Sequence, residues 1–157
     1  MNWYKIAALN ITPKEFQTKH YQELIDIARN TSITPQTQLL FFTEKYKHKN
    51  WVLQYLSYNT SISSQTQSMF FTQEYVGKNS ILWTLAENTS ITPQTKLLFF
   101  TQEYGDKHHV LKFILRNRNI FLKGLTPKEL REFAKAKEAR LPVYRKRFQD
   151  VKAMVLL

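Results

Sequence analysis

A chain of 157 residues with 3 Gly, 5 Pro and no Cys is long enough for one domain with a substantial core, and too short for a catalytic domain with an accessory domain beside it. The absence of Cys excludes disulfides, thiolate nucleophiles, iron–sulfur clusters and thiolate zinc sites. The shortage of Gly and Pro argues against Gly-rich nucleotide-binding folds and loop-rich β-sandwiches, and so favours helix. With 23 Lys and Arg against 12 Asp and Glu, the formal net charge of +11 makes a polyanion or an acidic surface the expected partner.

From the amino terminus, Met1 to Asn10 carries no long apolar run, and runs such as Leu39 to Phe42 fall far short of the roughly 18 to 20 residues of a spanning helix. A soluble, cytoplasmic protein with no membrane contact is expected. Thr12-Pro13-Lys14-Glu15 reads as a capping box that opens a helix. Leu24, Ile27 and Ala28 then stand in register with Leu53, Leu56 and Ser57, so residues 1–29 form a degenerate repeat or amino-terminal cap.

Residues 30–116 contain three copies of one 29-residue unit: NTSITPQTQLLFFTEKYKHKNWVLQYLSY, NTSISSQTQSMFFTQEYVGKNSILWTLAE and NTSITPQTKLLFFTQEYGDKHHVLKFILR. Each copy predicts two helices. Thr34, Ser63 and Thr92 occupy N-cap positions, with Pro35 and Pro93 at the first helical position, where a missing N–H costs nothing. The first helix carries Leu40-Phe41-Phe42 or its counterparts, with Tyr46, Tyr75 or Tyr104 continuing its apolar face. The second carries Val52, Leu53 and Leu56 or their equivalents. Asn59, Asn88 and Asn117 close the second helices, where a left-handed C-cap conformation accounts for the recurrent asparagine. A helix pair this short cannot bury its own apolar residues, so the pairs are expected to stack into an all-α fold, an α-solenoid forming a right-handed superhelix of helical hairpins with capping helices at both ends. Residues 117–157 form the basic carboxy-terminal cap: Thr126-Pro127-Lys128-Glu129 is a second capping box, and Val143 to Leu157 predicts a last amphipathic helix.

The string TLAENTSITPQTKLLFF, Thr84 to Phe100, resembles the variant leucine-rich repeat and its HEAT-like relatives, in which a Leu-Ala-x-Asn helix end, a Thr-Pro helix start and a Leu-rich helix recur. The likeness extends over about residues 24–125. What it implies is a binding scaffold and no reaction. The iron–sulfur cluster of some variant leucine-rich proteins has no ligands here. Some HEAT-like proteins excise damaged bases, a role in which Trp51, Trp83 and Asp106 would serve, but no further motif supports it.

Residues that differ between copies at one structural position are the candidates for specificity. On the second helix, successive copies hold Trp51, Ser80 and His109; Gln54, Trp83 and Lys112; Tyr55, Thr84 and Phe113; Tyr58, Glu87 and Arg116. These slots share one helical face, with Lys49, Lys78 and Lys107 repeated at the helix start. Aromatic planes beside cations suit stacking on bases and contact with phosphates, so binding of RNA or DNA is expected, aided by Arg145, Lys146 and Arg147. Residues 117–157 hold 11 basic and 4 acidic side chains, more than half of the excess charge. The same residue types make protein hot spots. The rival is therefore a protein adaptor or inhibitor, such as a small phage-type regulator, that occupies an acidic or nucleic-acid-binding surface. Neither reading involves a catalytic residue, a metal or a cofactor. His108 and His109 are adjacent and do not form an i, i+4 ligand pair.

Overall fold

A computed structural model of the chain describes residues 2–138; Arg145, Lys146, Arg147 and the expected helix from Val143 to Leu157 lie outside the described residues. The chain divides into two compact units, Met1–Ile91 and Thr92–Leu157. Both are helical, and no strand occurs among the described residues. The first contains a short 3-10 turn (Trp3–Lys5) and helices α1 (Pro13–Gln17), α2 (Tyr21–Ala28), α3 (Pro35–Thr43), α4 (Lys49–Tyr58), α5 (Ser64–Thr72) and α6 (Lys78–Glu87). The second contains α7 (Pro93–Thr101), α8 (Lys107–Arg116), α9 (Arg118–Phe121) and α10 (Pro127–Glu138).

The helix starts follow the capping chemistry in the sequence. The Thr34, Ser63 and Thr92 side chains accept the N–H of Thr37, Thr66 and Thr95 at 3.3, 3.1 and 3.2 Å. Thr126 and Glu129 form a complete reciprocal box, both bonds 3.2 Å. At Thr12 the box is altered: Glu15 donates its N–H to the threonine, but its carboxylate takes the Thr12 hydroxyl instead of the backbone N–H.

The left-handed residue of each copy lies at the opposite end of the second helix from the one the sequence pointed to. His48, Gly77 and Asp106, each directly before a second helix, have φ of 58°, 79° and 50°. Asn59 and Asn88 are extended, with φ of −67° and −71°. Their recurrence has a different cause. The Asn59 amide donates to the carbonyls of Ala28 and Asn30, both at 2.8 Å, and the Asn88 amide to those of Ser57 and Asn59 at 2.9 and 3.0 Å. Each Oδ1 accepts the N–H two residues on, at Ser61 and Ser90. Every buried asparagine thus fixes its own turn and ties it to the preceding one. Asn30 makes the same bonds to the carbonyls of Trp3, in the 3-10 turn, and of Ile6 just after it.

A second ladder runs through the first helices. Buried Gln38 donates to the carbonyl of Ile33 in its own turn and accepts the Ser63 N–H and the Thr66 hydroxyl of the next copy at 2.8 and 2.7 Å. Asn10 supplies the equivalent oxygen to Thr34 and Thr37 at the start of the series. In the third copy this position is Lys96, whose ammonium instead donates to the carbonyl of Lys123 at 3.2 Å and lies 5.4 Å from the Phe121 ring centroid. Burial pulls the Lys96 ammonium below the ordinary lysine range, with Glu129 partly offsetting it.

The side chains packed inside both units are apolar. Phe41, Phe70, Phe99, Leu53, Leu56, Leu82 and Leu111 are fully buried. Phe42 meets Phe70 of the next copy edge-on at 4.8 Å, an arrangement that aromatic quadrupoles favour. Within the first unit α4 packs against both α2 and α6, and α3 against α5; within the second, α7 packs against α8 and α10. Tyr46, Tyr75 and Tyr104 lie beyond the ends of the first helices and do not continue their faces. Their rings fold back, and the hydroxyls donate to the carbonyls of Phe41, Phe70 and Phe99 at 2.8, 2.6 and 2.7 Å.

Candidate binding faces

The lysines repeated at the second-helix starts are committed within the fold. Lys49 donates to the carbonyls of Phe42 and Glu44 at 2.5 and 3.0 Å, and Lys78 to those of Phe71 and Gln73 at 2.7 and 2.9 Å. Lys107 donates to the carbonyl of Gln102 at 2.6 Å. Each ammonium neutralises the negative end of the first helix and lies over the ring of Tyr46, Tyr75 or Tyr104, 5.5 to 5.8 Å from its centroid. A lysine at the start of one helix opposes that helix's dipole in sequence terms; in three dimensions it serves the carboxyl end of the preceding helix. Lys78 and Lys107 also pair with Glu74 and Glu103.

The variable slots follow the predicted face, with a different outcome in each copy. On α4, Trp51, Tyr55 and Tyr58 are 53, 43 and 47 % exposed. With Gln22, Ile25 and Asp26 of α2 and Arg29 at its C-cap they line a groove of about 500 Å³. Those residues occupy the same four slots one period earlier, so the register already visible at Leu24, Ile27 and Ala28 contains the signal for them, although only the three clear copies named candidates. Arg29 lies over Tyr55, 6.0 Å from its ring centroid. His48 stacks on Trp51 with centroids 5.2 Å apart.

On α6 the two middle slots are taken up by packing. Thr84 is buried and bonded to Ser57, and Trp83 is half-buried. The Trp83 indole N–H donates to one oxygen of Glu87 at 3.1 Å, and the Tyr58 hydroxyl to the other at 3.2 Å. Burial, then the Glu87 charge, raises the Tyr58 phenol above its ordinary range. Glu87 therefore holds two of the candidate aromatic residues in fixed orientations.

In the second unit two of the slots, Lys112 and Arg116, become cationic. His109, Lys112 and Arg116 are exposed at i, i+3 and i+7 of α8, with His108 also exposed and no carboxylate on the helix. On α10, Lys128, Arg131 and Lys135 repeat that spacing and are likewise exposed. The candidates thus separate into an aromatic groove in Met1–Ile91 and a cationic helix face in Thr92–Leu157. No group of three or more His, Asp or Glu suited to a metal occurs among the described residues. No helix among them is long and apolar enough to cross a membrane. Comparison of the chain with protein-family models, with curated proteins and with solved structures finds no match.

Proposed function

We propose that the chain is a non-catalytic binding module, an α-solenoid of the kind the variant leucine-rich and HEAT-like resemblance implies, and that its ligand is nucleic acid held through the phosphate backbone. Support for the solenoid comes from the asparagine ladder, whose rungs recur at 29 residues, from the Gln38 bonds to the next copy, and from α4 packing on both α2 and α6. The observation that carries the ligand is α8, whose exposed His109, Lys112 and Arg116 face no acid on their own helix. The charge distribution agrees: residues 92–157 hold 15 basic and 6 acidic side chains, whereas residues 1–91 hold 8 and 6. Because the exposed cations of the second unit lack exposed aromatic neighbours on α8, the contact is electrostatic and tolerant of sequence. Arg145, Lys146 and Arg147 would extend it.

Titration of labelled single-stranded RNA, single-stranded DNA and duplex DNA at salt between about 50 and 200 mM tests this reading. Affinity should fall steeply with salt. Changing both Lys112 and Arg116 to Ala should flatten the duplex slope by about 2, roughly 0.9 per lost phosphate contact. Absence of binding to all three at the lowest salt would sink the reading. The adaptor alternative predicts instead a stoichiometric complex with one partner protein, through its acidic or nucleic-acid-binding surface, and no direct binding of the chain to nucleic acid.

A further inference from the structure

The aromatic groove of the first unit takes no part in that reading, and its chemistry differs from that of α8. Trp51, Tyr55 and Tyr58 are three of the four large apolar or aromatic side chains that stand exposed among the described residues, the other being Val76. Lining the groove with them are one carboxylate, Asp26 on α2, and one guanidinium, Arg29 at the C-cap of α2 three residues on. Lys49 and Lys78, which would have supplied phosphate contacts on this side, have their ammonium groups on backbone carbonyls. A phosphate chain laid here would meet a single cation with an acid beside it, a poor match for a polyanion.

We propose that the occupant of this groove is the same groove of a second copy of the chain. A two-fold interface requires one patch to serve as both ridge and hollow. This patch does so: Trp51 and Tyr55 form an i, i+4 ridge along α4, and the hollow beside it lies between α4 and α2. Its charges are self-complementary, since two copies approaching antiparallel set Asp26 of each against Arg29 of the other. Its net charge is zero, so it selects neither an acidic nor a basic foreign surface. A volume of about 500 Å³ lies within the roughly 300 to 1,000 Å³ of sites that receive ring systems. Glu87 fixes Tyr58 and Arg29 lies over Tyr55, so the walls are set in advance and little side-chain freedom is lost on docking. The three aromatic side chains leave roughly 300 Å² exposed per copy, given about 150 to 250 Å² for a whole aromatic side chain. Two such patches with a polar rim form a small interface, below about 1,200 Å², and hence a weak, concentration-dependent dimer with a Kd on the order of micromolar.

Sedimentation of the full chain over about 1 to 300 μM should show a reversible monomer–dimer equilibrium. Changing Trp51 and Tyr58 to Ala should weaken it at least tenfold while circular dichroism stays helical. Arg29→Asp and Asp26→Arg should each abolish self-association, and an equimolar mixture of the two, labelled separately, should restore a heterodimer. The mixture keeps the test informative should the alanine variant misfold. A wild-type chain monomeric at the highest concentration, a dimer indifferent to Trp51 and Tyr58, or charge variants that self-associate normally would each overturn the proposal. So would a monomer that uses Trp51 to hold single-stranded nucleic acid. Lys112→Ala with Arg116→Ala should leave the equilibrium unchanged, so this proposal and the nucleic-acid reading fail separately.

Discussion

Asn59 is one side chain with three partners: its Nδ2 donates to the carbonyls of Ala28 and Asn30, and its Oδ1 accepts the N–H of Ser61. Asn59→Ala strands two buried acceptors and a donor, and should cost about 2 to 4 kcal/mol in urea unfolding, given about 1 to 3 kcal/mol per unmet buried group. Asn59→Asp is the sharper variant, because it keeps the acceptor for Ser61 and places a carboxylate against two carbonyls; its loss should be at least as large near pH 7. The left-handed position gives the opposite sign. Asp106 at φ 50° makes no side-chain capping bond, and its counterpart in the preceding copy is Gly77. Asp106→Gly should therefore raise stability by about 0.5 kcal/mol, the relief of strain exceeding the added freedom of the unfolded chain. Gly77→Ala should lower it by about 1 kcal/mol, since the new Cβ would meet Asn50 at an ordinary 3.6 Å and only the φ of 79° opposes it. The recurrence of asparagine was visible in the sequence. Its partners were not, because they stand 29 and 31 residues away and local capping preference points to a different conformation.

At the scale of the element, each helix pair is closed by one lysine and one tyrosine acting on the same helix end. Lys78 reaches the carbonyls of Phe71 and Gln73, while Tyr75 takes that of Phe70. Its side chain is only 13 % exposed, so Lys78→Met keeps the packed stem and removes the donors. That change should cost about 1 to 2 kcal/mol, the lower part of the range for charged hydrogen bonds because the helix end stays partly hydrated. Nucleic-acid affinity should not change, and a fall comparable to that of the variant with both Lys112 and Arg116 changed to Ala would return Lys78 to the binding face. Helix boundaries were legible to within a few residues, since Thr-Pro and Ser starts are local signals. The tyrosine placement was not: helices ending at Thr43, Thr72 and Thr101 leave Tyr46, Tyr75 and Tyr104 in the turns, where spacing arguments for a helical face no longer apply.

For the molecule as a whole, the buried tyrosines set the response to alkali. Burial pushes the phenols of Tyr46, Tyr75 and Tyr104 far above their ordinary 10.0, with the neighbouring Glu74 and Glu103 adding to the latter two. Below pH 10 both folded and unfolded chains hold these protons; above it only the folded chain does, so stability is lost as pH rises. The slope is about 1.4 kcal/mol per pH unit for each tyrosine, hence about 3 in Met1–Ile91, which holds two of them. Lys49 and Lys96 act in the other sense, because burial lowers them from 10.5 and stability rises slightly as they lose their protons. Circular dichroism against pH should show a shallow gain toward pH 10 and then steep unfolding; a chain still folded well above pH 12 would contradict this. The 29-residue period, the helix pairs, the Phe and Leu core and the excess of charge toward the carboxyl end were determined by the sequence alone, since periodicity, capping and composition are local or additive properties. The tertiary structure decided which polar residues remain available. Lys49, Lys78 and Lys107 had the charge to meet a phosphate, but the chain brings a helix end within 3 Å of each, and an ammonium bonded to those carbonyls is held there. Trp51, Tyr55 and Arg29 line a groove because α2 and α4, one repeat apart in the chain, pack side by side, a juxtaposition that local residue preferences do not decide.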